Sequence, residues 1–360
     1  MMTDRRKRLT LLMAIAAVAA VVALPGCGGG SHSSSTGSGG ETSNSRSYQG
    51  TQSPGDPWHW TITTAGSTWT ASNSTTGYTY SGTWSLLSSG FEELTVTQTT
   101  DPNVTVPTPL YGLEVPNTMF IAKPVGANTN PIIAASLGAS PTAAASLDFN
   151  YVHIPEQGYV PDTGDAYGTV NFGVANNVWT GTVTQFNIHG TAITPDLDLT
   201  LTDSNGLLTG GSSVTDTTVK GGITSSGVAI LDLGPGKGGA VGVQQATSPV
   251  DINAVAAGNY LGVHVNPTDG AFLVYGTGGT GGQIAIGRYS NVKTGAQLPN
   301  YGTITFTAQP SPGQLTATVN YTSGGSAPAV FVVNQVNGKY ILFGIVKHPL
   351  GTAHFTLVQQ

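Results

Sequence analysis

Residues 58–63 read Trp-His-Trp-Thr-Ile-Thr, so large apolar side chains alternate with polar ones. A period of two is typical of a β-strand with one buried face and one solvated face. Trp58, Trp60 and Ile62 therefore share one face. We expect this face to pack inward, because an outward row of such side chains would form a large exposed apolar patch. The segment predicts a half-buried strand.

The same period of two recurs along most of the chain after residue 57. It appears in Leu94/Val96, Leu147/Phe149/Tyr151, Val170/Phe172/Val174, Leu197/Leu199/Leu201, Ile304/Phe306/Ala308 and Leu315/Ala317/Val319/Tyr321. Asn337-Gly338 predicts a hairpin, because a type I′ turn needs positive φ at both central residues. Only residues 141–146 and 251–257 are predicted to form a helical turn. We therefore predict an all-β fold, an antiparallel sandwich or barrel.

The composition limits the classes of partner. Charged residues make up 8% of the 360 residues, against roughly 25% in an average soluble domain. The net charge is −6, and four of the 12 basic residues lie at positions 5–8. A basic surface for nucleic acid is therefore excluded. Hydroxyl, amide and backbone groups must form most of the surface.

Residues 1–26 have the layout of an export signal. A basic cluster at positions 5–8 precedes the uncharged residues 9–23, and Leu24-Pro25-Gly26-Cys27 follows. The apolar run is shorter than the roughly 20 residues that a transmembrane helix needs. Leu24-Pro25-Gly26-Cys27 resembles the lipobox of bacterial lipoproteins, in which Leu, a small residue and Gly or Ala precede an invariant Cys.

The resemblance implies that Cys27 is lipidated. In this family the Cys sulfur is diacylated, the signal peptide is cleaved before it and the new amino group is acylated. Gly28 follows Cys27 where Asp would mark retention in the inner membrane, so the resemblance favours an outer-membrane anchor, with its periplasmic or surface face left open. Cys27 is the single Cys of the chain, so no intramolecular disulfide is expected. The implied partner is the lipid bilayer.

The chain is predicted to consist of four regions. Residues 1–26 are the signal peptide, and the Gly- and Ser-rich residues 27–56 read as a flexible tether. A weak internal repeat, in which Tyr167-Gly168 resembles Tyr301-Gly302 and Ile230-Leu231 resembles Ile341-Leu342, suggests two tandem β domains, 57–246 and 247–360. One large sandwich with insertions is the alternative.

Motifs for catalysis and metal binding do not carry a site. Asp162-Thr163-Gly164 lacks the following Ser or Thr and the second triplet of an aspartic protease, and Asp165 and Glu156 nearby lack calcium-loop spacing. The seven His residues are scattered without a set of zinc ligands, and no G-x-S-x-G elbow is present. We predict no catalytic residue, no metal and no cofactor, and expect a protein that is not an enzyme.

Three tryptophans are the candidates to face a ligand, namely Trp58, Trp60 and Trp84. Exposed Trp rings would suit stacking on sugars, whereas buried ones would form the core of the first sheet. Gly82-Thr83-Trp84 resembles the G-x-W element of lipocalins, which are barrels that enclose a small apolar ligand. Other strands precede this element here, so the resemblance transfers no residue.

The main expectation is an outer-membrane-anchored lipoprotein with a non-enzymatic structural or binding role. A lipocalin-like carrier of a small apolar ligand is the first alternative. A surface glycan-binding or adhesin-type module is the second. Cavity volume and exposure of the Trp side chains are the observations that separate the three.

Overall fold

The strands of the computed structural model pair in antiparallel fashion, as the period of two predicts. The structure describes residues 45–52, 56–126, 130–138, 147–154, 166–212, 218–234, 237–348 and 351–360. Within them, 24 strands form three closed barrels of eight strands each, all in the compact unit Ser43–Gln360. The prediction of an all-β antiparallel fold is confirmed.

The first barrel runs in chain order, and its last strand closes the ring by pairing with its first. Its strands are β1 (Ser45–Gln52), β2 (Asp56–Thr63), β3 (Thr68–Asn73), β4 (Thr79–Leu86), β5 (Glu92–Thr99), β6 (Thr108–Val115), β7 (Met119–Pro124) and β8 (Ile132–Leu137). Each strand pairs in antiparallel fashion with the next, so each inward row of apolar side chains lies beside the next.

The second barrel repeats this order, and its last strand closes on its first. Its strands are β9 (Leu147–Ile154), β10 (Ala166–Ala175), β11 (Val178–Asn187), β12 (Ala192–Ser204), β13 (Leu207–Ser212), β14 (Thr218–Ile223), β15 (Val228–Asp232) and β16 (Gly239–Gln244). Asn205 and Gly206 both have positive φ in the two-residue turn between β12 and β13, as a type I′ hairpin requires.

The third barrel follows a short helix, α1 (Ile252–Ala256). Its strands are β17 (Tyr260–Asn266), β18 (Gly270–Gly278), β19 (Gln283–Asn291), β20 (Ala296–Ser311), β21 (Gln314–Tyr321), β22 (Ser326–Val336), β23 (Lys339–His348) and β24 (Gly351–Gln359). Asp251 caps α1 by accepting the Asn253 backbone N–H at 2.9 Å. Val255 and Ala256 are fully buried in the core of the barrel, so α1 packs against the barrel interior.

Two local predictions are confirmed by these elements. The helical turn expected in residues 251–257 is α1, and the Asn337-Gly338 hairpin joins β22 to β23 with φ of 50° and 78°. The helical turn expected at residues 141–146 lies outside the described residues.

Each barrel has its own core of inward side chains. The largest are Trp58, Trp60, Trp69 and Phe120 in the first barrel, Phe149, Phe172 and Trp179 in the second, and Phe306, Phe331 and Phe355 in the third. These rings lie at alternate positions of their strands, which is the physical origin of the period of two in the sequence.

A fourth core lies between the barrels. On β23, Leu342 and Val346 point into the third barrel, whereas Ile341, Phe343 and Ile345 belong to a cluster shared by all three barrels. The corresponding strands of the other barrels add Met119 and Ile121 from β7 and Val228 and Ile230 from β15. The seventh strand of each barrel is therefore apolar on both faces, because both faces are buried.

The turns that precede these seventh strands contact one another. Thr118 is fully buried, and its Oγ1 accepts hydrogen bonds from Asn337 Nδ2 at 2.8 Å and from Ser226 Oγ at 3.3 Å. The three residues come from the three barrels. This hydrogen-bonded contact fixes the barrels against one another at one end of the shared core.

The contact surface between two barrels is called a seam here, and two of the three seams are closely packed. The first and last strands of one barrel lie on the sixth and seventh strands of the next, so β1 and β8 contact β14 and β15, and β9 and β16 contact β22 and β23. In the first seam Thr51 Oγ1 donates to the buried Asp232 Oδ2 at 2.6 Å, and in the second Asn150 Nδ2 donates to the Pro312 carbonyl at 2.7 Å.

The structure corrects the predicted tether and the predicted number of β units. Residues 27–56, predicted as a tether, include the strand β1. This strand is ordered because the inward Tyr48 and the polar outward Gln49 and Thr51 are all buried by the barrel and by its neighbour. The predicted domain 57–246 contains most of two barrels. Ile230 and Ile341 do lie on corresponding seventh strands, whereas Tyr167 on β10 and Tyr301 on β20 do not correspond.

Candidate ligand-binding cleft

The tryptophans considered as ligand-facing residues line the interior of the first barrel. Trp60 is 1% exposed and stacks between Trp58 and Trp69, with ring centroids at 6.0 Å and 5.1 Å. Trp84 is half-buried, and its Nε1 donates to the Thr63 carbonyl at 3.2 Å. The buried rings of Trp58 and Trp60 therefore offer no exposed stacking surface, and the half-buried Trp84 lies at the edge of the same core. Cys27 lies outside the described residues.

One end of the first barrel holds an internal ion pair. Arg46 Nε and Nη2 each donate to a carboxylate oxygen of Glu114 at 2.6 Å, and the Tyr48 hydroxyl donates to the same carboxylate. The hydrogen bonds to Glu114 raise the pKa of Arg46, and burial is the main cause that raises the pKa of Tyr48. The bidentate geometry compensates part of the cost of desolvating both charges.

Glu92 lies beside this pair and is 8% exposed. Burial raises the pKa of Glu92 to about 7, the charge of Glu114 adds to the shift and Arg46 opposes it. Its Oε2 has no hydrogen-bond partner among the described residues. Glu92 is therefore a carboxyl group whose neutral form the folded barrel favours.

Glu92→Gln should remove a pH-dependent loss of stability. The folded-state pKa is about 7 against an ordinary value of 4.5, so ionisation costs stability as pH rises from 4.5 to above 7. The full cost is on the order of 3 kcal/mol. We expect Glu92→Gln to match the wild type near pH 4 and to exceed its free energy of unfolding at pH 8, measured by urea denaturation at both pH values.

Glu114→Gln is the contrasting variant, because it breaks the pair with Arg46. We expect it to be less stable than the wild type at both pH values. Equal pH profiles for wild type and Glu92→Gln would contradict the assignment of this titration to Glu92.

The second barrel retains a small internal cavity of about 60 Å³. Its lining is apolar and includes Phe149, Phe172, Val183, Leu199 and Leu231. Ligand pockets for drug-sized molecules measure about 300–1,000 Å³. The cavity is therefore small for the ligand of a lipocalin-like carrier.

One end of the third barrel is closed by aromatic side chains around a buried histidine. His264 Nδ1 donates to the His354 carbonyl at 3.0 Å, and the ring stacks on Phe355 with ring centroids 3.8 Å apart. Burial lowers the pKa of His264 to about 3, so its ring stays neutral. Tyr301 contacts His264 edge-on at 5.6 Å, and its hydroxyl accepts from Asn266 Nδ2 at 3.0 Å. These contacts hold the Tyr301 ring in place.

The seam between the first and third barrels opens into a cleft of about 690 Å³, which we call the interbarrel cleft. The first barrel contributes Tyr111, Lys123 and Val125, and the third contributes Phe272, Arg288 and Leu298. Val125 and Leu298 are 55% and 43% exposed, which is unusual for aliphatic residues in this chain. The volume lies within the usual range for a small-molecule site.

Arg288 is positioned in the interbarrel cleft by aromatic rings. Its guanidinium carbon lies 5.6 Å from the Phe272 ring centroid and 5.8 Å from the Tyr301 ring centroid. Such cation–π contacts orient a guanidinium without using its N–H groups. No hydrogen bond or ion pair joins Arg288 to another described residue. A half-buried guanidinium with free donors therefore faces the cleft.

Two lysines lie at the same seam, and each is held by groups of the protein. Lys123 is buried, its Nζ donates to the carbonyls of Pro124 and Gly126 at 2.6 Å each, and burial lowers its pKa to about 8. Lys293 on the third barrel pairs with Glu93 on the first at 3.0 Å. The Lys123 ammonium thus anchors the backbone that forms one wall of the cleft.

Tyr289 connects the two walls of the cleft. Its hydroxyl donates to the Ser89 carbonyl of the first barrel at 3.4 Å, and its ring meets Phe91 edge-on at 5.6 Å. Sequence reasoning missed Tyr289 and Arg288. Arg288 is one of few basic residues after the export signal, and this scarcity was the only feature that could have drawn attention to it.

Comparisons with protein-family models and with curated proteins give no match. Among the described residues, no helix has the length and apolar character needed to cross a membrane. Nor does this part of the chain place three His, Cys, Asp or Glu side chains where they could share a metal ion.

Proposed function

We propose that this chain is a lipid-anchored protein of a bacterial cell envelope whose three-barrel body has a non-enzymatic binding role. The observation that carries the binding role is the interbarrel cleft. It combines a volume typical of ligand sites with aromatic and aliphatic walls and one oriented guanidinium. The other two seams are filled by direct hydrogen bonds such as that of Thr51 to Asp232.

The anchor is proposed on the sequence alone. The basic residues 5–8, the uncharged residues 9–23 and Leu24-Pro25-Gly26-Cys27 form the pattern, and Cys27 is the single thiol of the chain. Each buried methylene of an acyl chain adds about 0.8 kcal/mol of membrane affinity, so several chains make a stable anchor. Gly28 favours the outer membrane. The residues between Cys27 and β1 would separate the barrels from the lipid surface.

The two alternative functions have less support. A lipocalin-like carrier needs room inside a barrel, and the cavity of the second barrel measures only about 60 Å³. A glycan-binding module would use exposed Trp rings, whereas Trp58 and Trp60 are buried. An external cleft is the more suitable place for a ligand.

Cys27→Ser should abolish acylation. In cells that synthesise lipoproteins and are fed radiolabelled palmitate, the wild-type chain should carry label, sediment with membranes and leave them only with detergent. The variant should carry no label, because Cys27 supplies the only thiol for diacylation.

The matched control is the double variant Cys27→Ser/Ser31→Cys, which restores one thiol outside the lipobox. We expect it to remain unlabelled. Label on Cys27→Ser would overturn the anchor, and label on the double variant would show that acylation does not depend on Leu24-Pro25-Gly26.

A further inference from the structure

We propose that the interbarrel cleft binds a ligand that joins a carboxylate to an apolar group, with Arg288 as the residue that recognises the carboxylate. The inference rests on the proposed binding role of the cleft and names its ligand class. It is carried by the free donors of Arg288, the apolar walls of the cleft and the charge of the surrounding surface.

Aromatic rings orient Arg288 before a ligand binds. Phe272 and Tyr301 hold the guanidinium by their faces, and no described residue uses its N–H groups. A planar guanidinium presents donors in a fixed fork that matches the two oxygens of a carboxylate. Because the rings fix the fork before binding, little side-chain entropy is lost when an anion arrives.

The charge around Arg288 favours an anionic ligand. The chain has a net charge of −6, so basic residues are few, and among the described residues Arg288 is the one whose guanidinium lies over two aromatic rings. Glu93 neutralises Lys293, and Glu114 neutralises Arg46, whereas Arg288 has no such partner among the described residues. An anionic ligand would supply the missing counter-charge.

The charge of the cleft favours a carboxylate over a phosphate. Asp269 also lines the cleft, and its Oδ2 lies 3.4 Å from the Tyr301 hydroxyl. A fixed carboxylate repels a phosphate dianion more strongly than a carboxylate monoanion. Lys123 also lines the cleft, but its ammonium already donates to the carbonyls of Pro124 and Gly126. The guanidinium of Arg288 beside one aspartate therefore favours a single negative charge.

The apolar walls of the cleft indicate the rest of the ligand. Val125 and Leu298 expose aliphatic surface on opposite walls of the cleft, and the ring of Tyr111 lies on the first-barrel wall. Covering exposed apolar side chains with a ligand removes apolar surface from water and so favours binding. The ligand class is thus an aromatic or aliphatic carboxylate of small size.

The test uses the purified full-length protein and three probes in calorimetric titrations. The probes are 3-phenylpropionate, its neutral analogue 3-phenyl-1-propanol, and inorganic phosphate. We expect the wild type to bind 3-phenylpropionate more tightly than the alcohol or phosphate. Equal binding of acid and alcohol would overturn the role of the anion, and phosphate binding as tight as that of the acid would overturn the ligand class.

Variants then locate the binding. Arg288→Gln should weaken binding of 3-phenylpropionate by about 10- to 100-fold, the usual range for a lost hydrogen bond to a charged group, and leave the alcohol unchanged. Arg288→Lys keeps the charge without the fork and should lose less. Asp269→Asn should strengthen acid binding. Lys220→Gln, which removes a positive charge from β14 of the second barrel, should have no effect and is the matched control.

One further variant separates this inference from the proposed function. Ser290 is exposed in the cleft, so Ser290→Trp should fill it and abolish binding of both the acid and the alcohol. If Ser290→Trp abolishes binding while Arg288→Gln binds the acid like the wild type, the cleft is a site and the carboxylate assignment is wrong. If the wild type binds none of the probes, the carboxylate assignment is also wrong. Thermal unfolding of each variant verifies that it is folded.

Discussion

Replacing Phe343 by alanine should lower the free energy of unfolding by about 3 to 5 kcal/mol, the range for truncating a buried aromatic ring. Phe343 lies outside the interior of every barrel, yet it is 0% exposed because it belongs to the core that the three barrels share. The loss should equal that of Phe331→Ala, whose ring lies inside the third barrel on the neighbouring strand. Urea denaturation of both variants provides the comparison.

The exposed Leu86, with 70% of its surface in water, is the control for this experiment. Leu86→Ala should change the free energy of unfolding by less than about 0.5 kcal/mol. We also expect a single unfolding transition, because the shared core couples the barrels. A loss of free energy of unfolding below about 1 kcal/mol for Phe343→Ala would mean that the contacts between barrels add little to their stability.

Replacing Trp60 by alanine should also cost about 3 to 5 kcal/mol. Trp60 is 1% exposed, and its ring contacts Trp58, Trp69 and Phe120, the last at a centroid distance of 5.2 Å. Alanine would leave a cavity among rigid rings that cannot close on it. Guanidinium denaturation followed by circular dichroism measures the loss without relying on Trp fluorescence.

Trp84→Ala is the matched control, since Trp84 is half-buried at the edge of the same core. We expect it to lose less stability than Trp60→Ala, because a smaller apolar area returns to water. A loss below about 1 kcal/mol for Trp60→Ala would indicate an exposed ring and would favour the glycan-binding alternative.

The two variants probe different kinds of information in the sequence. The inward position of Trp60 could be predicted, because it alternates with His59 and Thr61. Alternation describes one buried face only, so it does not say which distant strands cover Phe343 on the outer face. The run from Tyr340 to Val346 is apolar at nearly every position, and such a run is typical of a strand buried on both faces.

The candidate cleft depends on residues that are distant in sequence. Tyr111 and Lys123 lie in the first barrel, and Arg288 and Leu298 lie in the third. Lone basic or aromatic residues on alternating strands give no pattern that marks a site. The Trp residues that the sequence suggested as ligand-facing lie in the core of the first barrel.

Local sequence by itself determined most of the strands, the inward face of those that alternate, the Asn337-Gly338 hairpin and α1, because strand period, turn conformation and helix capping depend on neighbouring residues. The tertiary structure decided what depends on distant partners: that β1 closes on β8, that three barrels form, and that Phe343 is buried from outside. Polar residues such as Thr51 resemble a tether in sequence. They lie in a strand here because Asp232 of the next barrel and the closing strand supply their hydrogen bonds.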